Sequence, residues 1–308
     1  MTDDEYIAIS SEIKELEALL AEIPQENAID RMGLTARLES ARALIAGVNE
    51  KQLVHKARLT FRGKPVYGSH GIAADFATKA AGAFTDAVAA AAAGFTDSLM
   101  YMGPIPDKQK NKLLITGTAI GSFGFELEVP PQDKEDLFNE ENRTETALAK
   151  MQDLLRLAAE GSDDEVAELV EDIHPRAVKK VADFLDYVVQ QDASCALEFK
   201  NRFFRFDDTA QVQTSANRLR EDNIHDTDET FAGEFQGVLP ASRTFEFRVV
   251  TPNGVLRGKV GPDVEDADLI NRDFLHHPVR AKFHVIQVGQ GRPRYMLCKM
   301  DDIMLGLN

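Results

Sequence analysis

The chain lacks tryptophan altogether, and its 308 residues include only two cysteines, Cys195 and Cys298, far apart in the sequence. That separation excludes a CxxC redox motif or a cysteine-built zinc site, and two isolated thiols suit a reducing compartment, each as a small buried apolar residue. Long apolar runs are missing too. The longest, AVAAAAAGF, falls far short of the roughly 20 residues that span a bilayer. The opening MTDDEYIAIS is acidic where a secretory leader is basic, and no apolar core of a leader follows it. The expectation is a cytoplasmic protein without a membrane partner. The spacing of a Walker phosphate loop and the nucleophile elbow of a serine hydrolase are also missing.

What is present is an ordinary globular balance, 44% hydrophobic and 28% charged, which excludes wholesale disorder. The net charge of −16 disfavours nucleic acid as a partner of the chain as a whole. The charge is uneven: −7 over 1–50, +3 over 51–132, −13 over 133–230 and +1 over 231–308. An anionic ligand is therefore expected in the second or fourth of these segments.

The same four segments differ in pattern, and the fold class read from them is α+β. In 1–50, Ile9, Ile13, Leu16, Leu20 and Ile23 recur at coiled-coil spacing, as do Leu34, Leu38, Ala41 and Ile45. Pro24 and Gly47 serve as stops, so an antiparallel helical hairpin is expected, with residues 5–47 available to a second copy or another protein. In 51–132, His55, Ala57, Leu59 and Phe61 alternate with Lys56, Arg58, Thr60 and Arg62, the signature of a half-buried strand with a cationic face. An alanine-rich helix over 72–93 and two strands around GSFGFELE complete a small α+β unit. The acidic segment 133–230 reads as mainly helical, with Ser162 and Glu165 as a capping box, Pro175 in a first turn and ALEFKNRFFRF as a strand. Over 231–308 the order is three strands, a helix and two strands, the second and third joined by TPNG: a five-stranded barrel of OB-like or SH3-like type.

The leading candidate site is the turn Gly68-Ser69-His70-Gly71 before the alanine-rich helix. Glycines allow a sharp bend, and unpaired amides at a helix start attract anions. Lys56, Arg58, Arg62 and Lys64 on the preceding strand would add positive potential. The plainer reading is a capped corner with a solvated basic face. Glu126 and Glu128 stand two apart on one strand face, where they form a polar face, hold a divalent cation or serve acid–base work; in an enzyme acting on a phosphate-bearing substrate at the turn, Glu126, Glu128 or His70 moves the proton. IHDTDE (His225, Asp226, Asp228, Glu229) reads as an acidic loop, and His276 and His277 as a helix end. In the barrel, Arg243, Arg248, Arg257, Arg280, Arg292 and Arg294 surround Tyr295. Phe245, Phe247 and Phe283 fit the core better than a stacking face for single strands. The reading is a binding or assembly protein taking an anionic small molecule at the turn, with no cofactor and no metal. A phosphate-handling enzyme and a barrel that reads nucleic acid are the alternatives.

Overall fold

A computed structural model describes residues 3–22, 27–46, 55–96, 99–119, 123–129, 142–200, 202–251 and 254–306. Mixed helix and sheet build it, with a closed mixed barrel at the C-terminal end. Among the described residues no helix is long and apolar enough to cross a membrane.

Two helices come first, α1 (Asp3–Glu22) and α2 (Ala28–Ile45). They meet through Ile13, Leu16, Leu38 and Ala41, with Ile9, Leu20, Leu34 and Ile45 packed at the margins. These are the seam positions read from the sequence; Ile23, Pro24 and Gly47 lie outside the described residues. Glu12 and Arg37 pair across the two helices at 2.6 Å, and Arg31 donates to the Leu20 carbonyl at 2.9 Å.

The body follows: β1 (Lys56–Gly63), β2 (Val66–Tyr67), β3 (Gly71–Ile72), α3 (Ala74–Gly94), β4 (Leu114–Ala119), β5 (Phe123–Glu128), α4 (Arg143–Glu160), α5 (Asp163–Val170), α6 (Pro175–Gln190), β6 (Ala193–Phe199), β7 (Arg202–Arg205) and α7 (Thr209–Arg218). Its sheet runs β4-β5-β1-β6-β7, antiparallel throughout. Strand β1 sits at the centre because Ala57, Leu59 and Phe61 are fully buried on one face while its polar residues pair along the other. Helices cover the buried face. The run of alanines in α3 removes side-chain bulk, so α3 lies close against α6, with Phe84 and Phe184 edge-to-face at 5.6 Å.

Strand β1 of the second segment and strand β6 of the third therefore belong to one sheet, and the described residues of both segments share one core. The join is tight at Gly63: φ is +113°, and a Cβ there would lie 2.2 Å from the Asp192 carbonyl oxygen. The stretch ALEFKNRFFRF, expected as one strand, is the hairpin β6–β7, turned at Lys200, whose φ is +47°. Gln152 holds that hairpin from beneath. Its buried amide donates to the carbonyls of Leu197 at 3.1 Å and Arg202 at 2.7 Å.

The barrel comprises β8 (Ile224–Leu239), β9 (Thr244–Val249), β10 (Gly254–Val260), α8 (Asp268–Phe274), β11 (Val279–Val288), β12 (Arg294–Leu297) and the short β13 (Ile303–Leu305) on its margin. The ring closes as β8-β9-β10-β12-β11-β8, with β10 and β12 parallel and the other neighbours antiparallel. Phe235, Phe247 and Phe283 fill it at 0% exposure, and Phe245 stacks on Phe283 at 4.9 Å. These phenylalanines build the core, as their spacing predicts.

One expectation is corrected here. IHDTDE is not a loop but the first part of β8, paired with β11 from Asp226 opposite Ile286 to Glu229 opposite Phe283. Backbone pairing, rather than apolar alternation, forms this half of the strand, so its side chains carry no period-two signal. His284 of β11 lies between its carboxylates, 3.3 Å from Asp226 and 3.2 Å from Asp228.

Candidate functional site

Gly68, Ser69 and His70 form the tip of the β2–β3 hairpin, with Tyr67 opposite Gly71. Gly68 has φ +58°, and the His70 amide donates to the Tyr67 carbonyl at 3.1 Å. All three tip residues are exposed. Helix α3 begins beyond β3, at Ala74, so the tip and the helix start are separate features.

The four cations do not gather at this tip. Lys56 lies at the far end of β1, seven residues and roughly 23 Å from Gly63 at strand rise. It pairs with Glu128 at 3.2 Å and Glu126 at 3.4 Å. Hydrogen bonding to Glu128 raises its pKa against the opposing effect of burial, and the Glu126 charge adds to the rise. Arg58 pairs with Glu126 at 3.3 Å and Glu198 at 3.5 Å. Lys64 lies 3.7 Å from Asp192, both well exposed. Arg62 is exposed and has no ion pair among the described residues. Glu126 and Glu128 are thus engaged in cross-strand pairing on the open face of the sheet; Gly121 and Ser122 lie outside the described residues. Among the described residues no group of three or more His, Cys, Asp or Glu side chains is arranged to hold a metal ion.

Two partly buried titratable groups have structural duties. His174 caps α6: its Nδ1 accepts from the Arg176 amide at 3.2 Å, and burial lowers its pKa. Glu145 accepts from His55 at 2.7 Å and from Lys200 at 2.8 Å. Burial alone would push this carboxyl up, but the two hydrogen bonds and charges outweigh it and hold it below the ordinary glutamate range. A depressed carboxyl contributes stability that is present above its unfolded pKa and lost as pH falls through the folded one. Wild-type protein is therefore expected to lose thermal stability more steeply than Glu145→Gln as the pH drops below about 4.5. Parallel melting curves from pH 6 downward check this, and identical slopes would refute it. Burial pushes the Cys195 thiol up to about 12 and raises that of the partly buried Cys298 as well, which favours the protonated form of both at neutral pH.

A cleft of about 740 Å³ opens where the barrel meets the body. Its walls are the end of β8 with Val238 and Leu239, strands β9 and β10 with Glu246, Arg257 and Lys259, and the β11–β12 loop with Arg292, Pro293 and Arg294. Helix α5 of the body forms the remaining wall through Asp164 and Glu171. The capping box at Ser162 and Glu165, present as expected, fixes the start of α5. From there the acidic first turn reaches the barrel loop. Asp163 accepts from the Gln290 amide at 3.1 Å, and Asp164 from the Arg292 amide at 2.6 Å. At the other end of α5, Glu171 has a side chain only 3% exposed and receives Lys259 at 3.0 Å and Arg294 at 3.1 Å. Buried carboxylates are tolerated when paired and hydrogen-bonded in this way.

The charges of the cleft divide by depth. Glu171 lies deep and is outnumbered by its two cations, and Arg257 is offset by Glu246 at 2.9 Å. Arg292 is exposed at the mouth and has no ion pair among the described residues. The aromatic residues of the wall are used elsewhere. Phe245 is 2% exposed, and the Tyr295 ring lies 5.9 Å from Phe231 and 6.4 Å from Phe283. Burial, with the Glu229 charge, raises the Tyr295 pKa. Sequence reasoning picked out the arginines beside Tyr295. It missed Asp164 and Glu171, because residues 88 to 128 positions apart along the chain carry no sign of meeting. Comparison with protein families, with curated proteins and with solved structures returns no match for this chain.

Proposed function

We propose that this is a cytoplasmic binding and assembly protein that holds an anionic ligand in the cleft between barrel and body. The observation that carries the reading is Arg292, an exposed guanidinium at the mouth of a large cleft with no ion pair among the described residues. The ring order, with its one parallel pair and a helix between the third and fourth strands, supports an OB-type barrel over an SH3-like one. In OB-type barrels the second and third strands and the loops beside them form the binding face, which is where this cleft lies. Helices α1 and α2 form an antiparallel hairpin that joins a second copy or a partner protein. Met32 and Leu44, 71% and 64% exposed outside the seam, support that role.

A second reading keeps the anion at the Gly68–Gly71 turn, on the strength of the exposed tip and of Arg62 nearby without an ion pair among the described residues. Inorganic pyrophosphate separates the two. It is expected to raise the melting temperature of the wild type and of Arg62→Ala/Lys64→Ala, but not of Arg292→Ala. The reverse pattern would place the anion at the turn. No rise in any of the three proteins would remove anion binding from both places.

A further inference from the structure

We propose that Met100 and Met102 are a site of reversible oxidative modification, where a peroxide converts both thioethers to sulfoxides without loss of the fold. The two flank Tyr101, and the three side chains are 69%, 68% and 84% exposed in chain order. Among the described residues this is the longest run of consecutive exposed large apolar side chains. The loop that carries it is braced. Arg176, in the first turn of α6, donates through Nη1 to the Met100 carbonyl at 2.8 Å and through Nη2 to the Gly103 carbonyl. Gly103 makes the bend at φ +95°, and the Tyr101 ring lies 5.2 Å from that of His174. This brace uses main-chain oxygens and one aromatic ring. Neither thioether takes part in it, so both sulfur atoms can change while the loop stays held.

The chemistry needs no partner residue. A thioether is a neutral nucleophile and has no proton to lose. Its sulfur lone pair attacks one oxygen of hydrogen peroxide and the O–O bond breaks. The proton of the transferred oxygen passes to the departing hydroxide, which leaves as water, so sulfur loses two electrons and the peroxide gains them. The thiols compete poorly, because burial holds Cys195 and Cys298 protonated. The other described methionines divide by position. Met151 is 1% exposed in the core of the body, and Met296 and Met300 are partly buried. Met32 and Met304 are exposed, but each is the only methionine of its element, α2 and β13. Only at Met100 and Met102 do two sulfoxides fall on one apolar surface, and there they turn it polar.

Graded hydrogen peroxide on the full-length protein tests this, with peptide mapping by mass spectrometry to follow each methionine. Met100 and Met102 are expected to oxidise at least about tenfold faster than Met151, because exposure sets susceptibility. Retention of the same samples on a phenyl column is expected to fall while the melting temperature holds. Treatment with the two methionine sulfoxide reductases, one for each epimer, is expected to restore the retention. Met100→Leu/Met102→Leu keeps the apolar surface without its sulfur, so this variant is expected to hold most of its retention under peroxide. An unchanged melting temperature before oxidation certifies its fold. An equal fall in the variant would assign the effect to other methionines and overturn the site, as would oxidation of Met151 at the same rate. A drop in melting temperature on oxidation of the pair would show that the thioethers belong to the fold, and retention that the reductases do not restore would overturn reversibility.

Discussion

Replacing Phe283 by alanine is expected to destabilise the protein by about 3–5 kcal/mol, the usual range for deleting a large buried ring. The magnitude follows from position. Phe283 is fully buried and touches Phe231, Phe235, Phe245, Phe247 and Tyr295, with ring centroids between 4.9 and 6.4 Å. Deleting it removes the one ring common to these contacts, and strands held in a closed ladder cannot collapse inward to fill the space. Urea denaturation should show a lower midpoint with an unchanged slope. A loss below about 1 kcal/mol would mean that the barrel core is not packed as described.

Gly63→Ala is the second large effect, and it acts through the backbone. Two penalties coincide: φ of +113° is a region that residues with a Cβ rarely adopt, and the added carbon would stand 2.2 Å from the Asp192 carbonyl oxygen. Main-chain atoms cannot swing aside as a flexible side chain can, so β1 and β6 must separate at this end. The expected cost is roughly 2–5 kcal/mol, combining backbone strain with overpacking. Gly68→Ala serves as the control. It shares a positive φ, +58°, but a Cβ there meets nothing nearer than 3.5 Å. If the two substitutions cost the same, close approach to Asp192 contributes nothing and the strain argument alone survives.

Much of this architecture is legible in the sequence, and the physics says which parts. Strand β1 announces itself because one face is fully buried and the other polar, so Ala57, Leu59 and Phe61 keep a strict period of two. The helix starts at Ser162, His174-Pro175 and Asp208 are local events, each settled by side chains within three residues of the amides they cap. The barrel strands β9 to β12 follow from alternation and turn residues. What could not be read is everything decided by distant pairing. The first half of β8 is a strand because β11 lies beside it, whereas its own Asp-Thr-Asp-Glu resembles a loop. The cations of β1 look like an anion site in one dimension. In three, Lys56 and Arg58 meet Glu126, Glu128 and Glu198 on neighbouring strands, pairs set by sheet register. The cleft is the extreme case, since the contacts between α5 and the β11–β12 loop join residues 127 and 128 positions apart in the chain.

Strand β11 is rooted in two separate interiors. Near its middle, Phe283 and Val285 belong to the barrel core, while Ile286 and Val288 at its end are packed into the core of the body. A ten-residue strand anchored at both places cannot leave one without disturbing the other, so the two parts are expected to melt together in a single calorimetric transition. A ligand held in the junction groove is therefore expected to raise the melting temperature of the whole molecule rather than of one half.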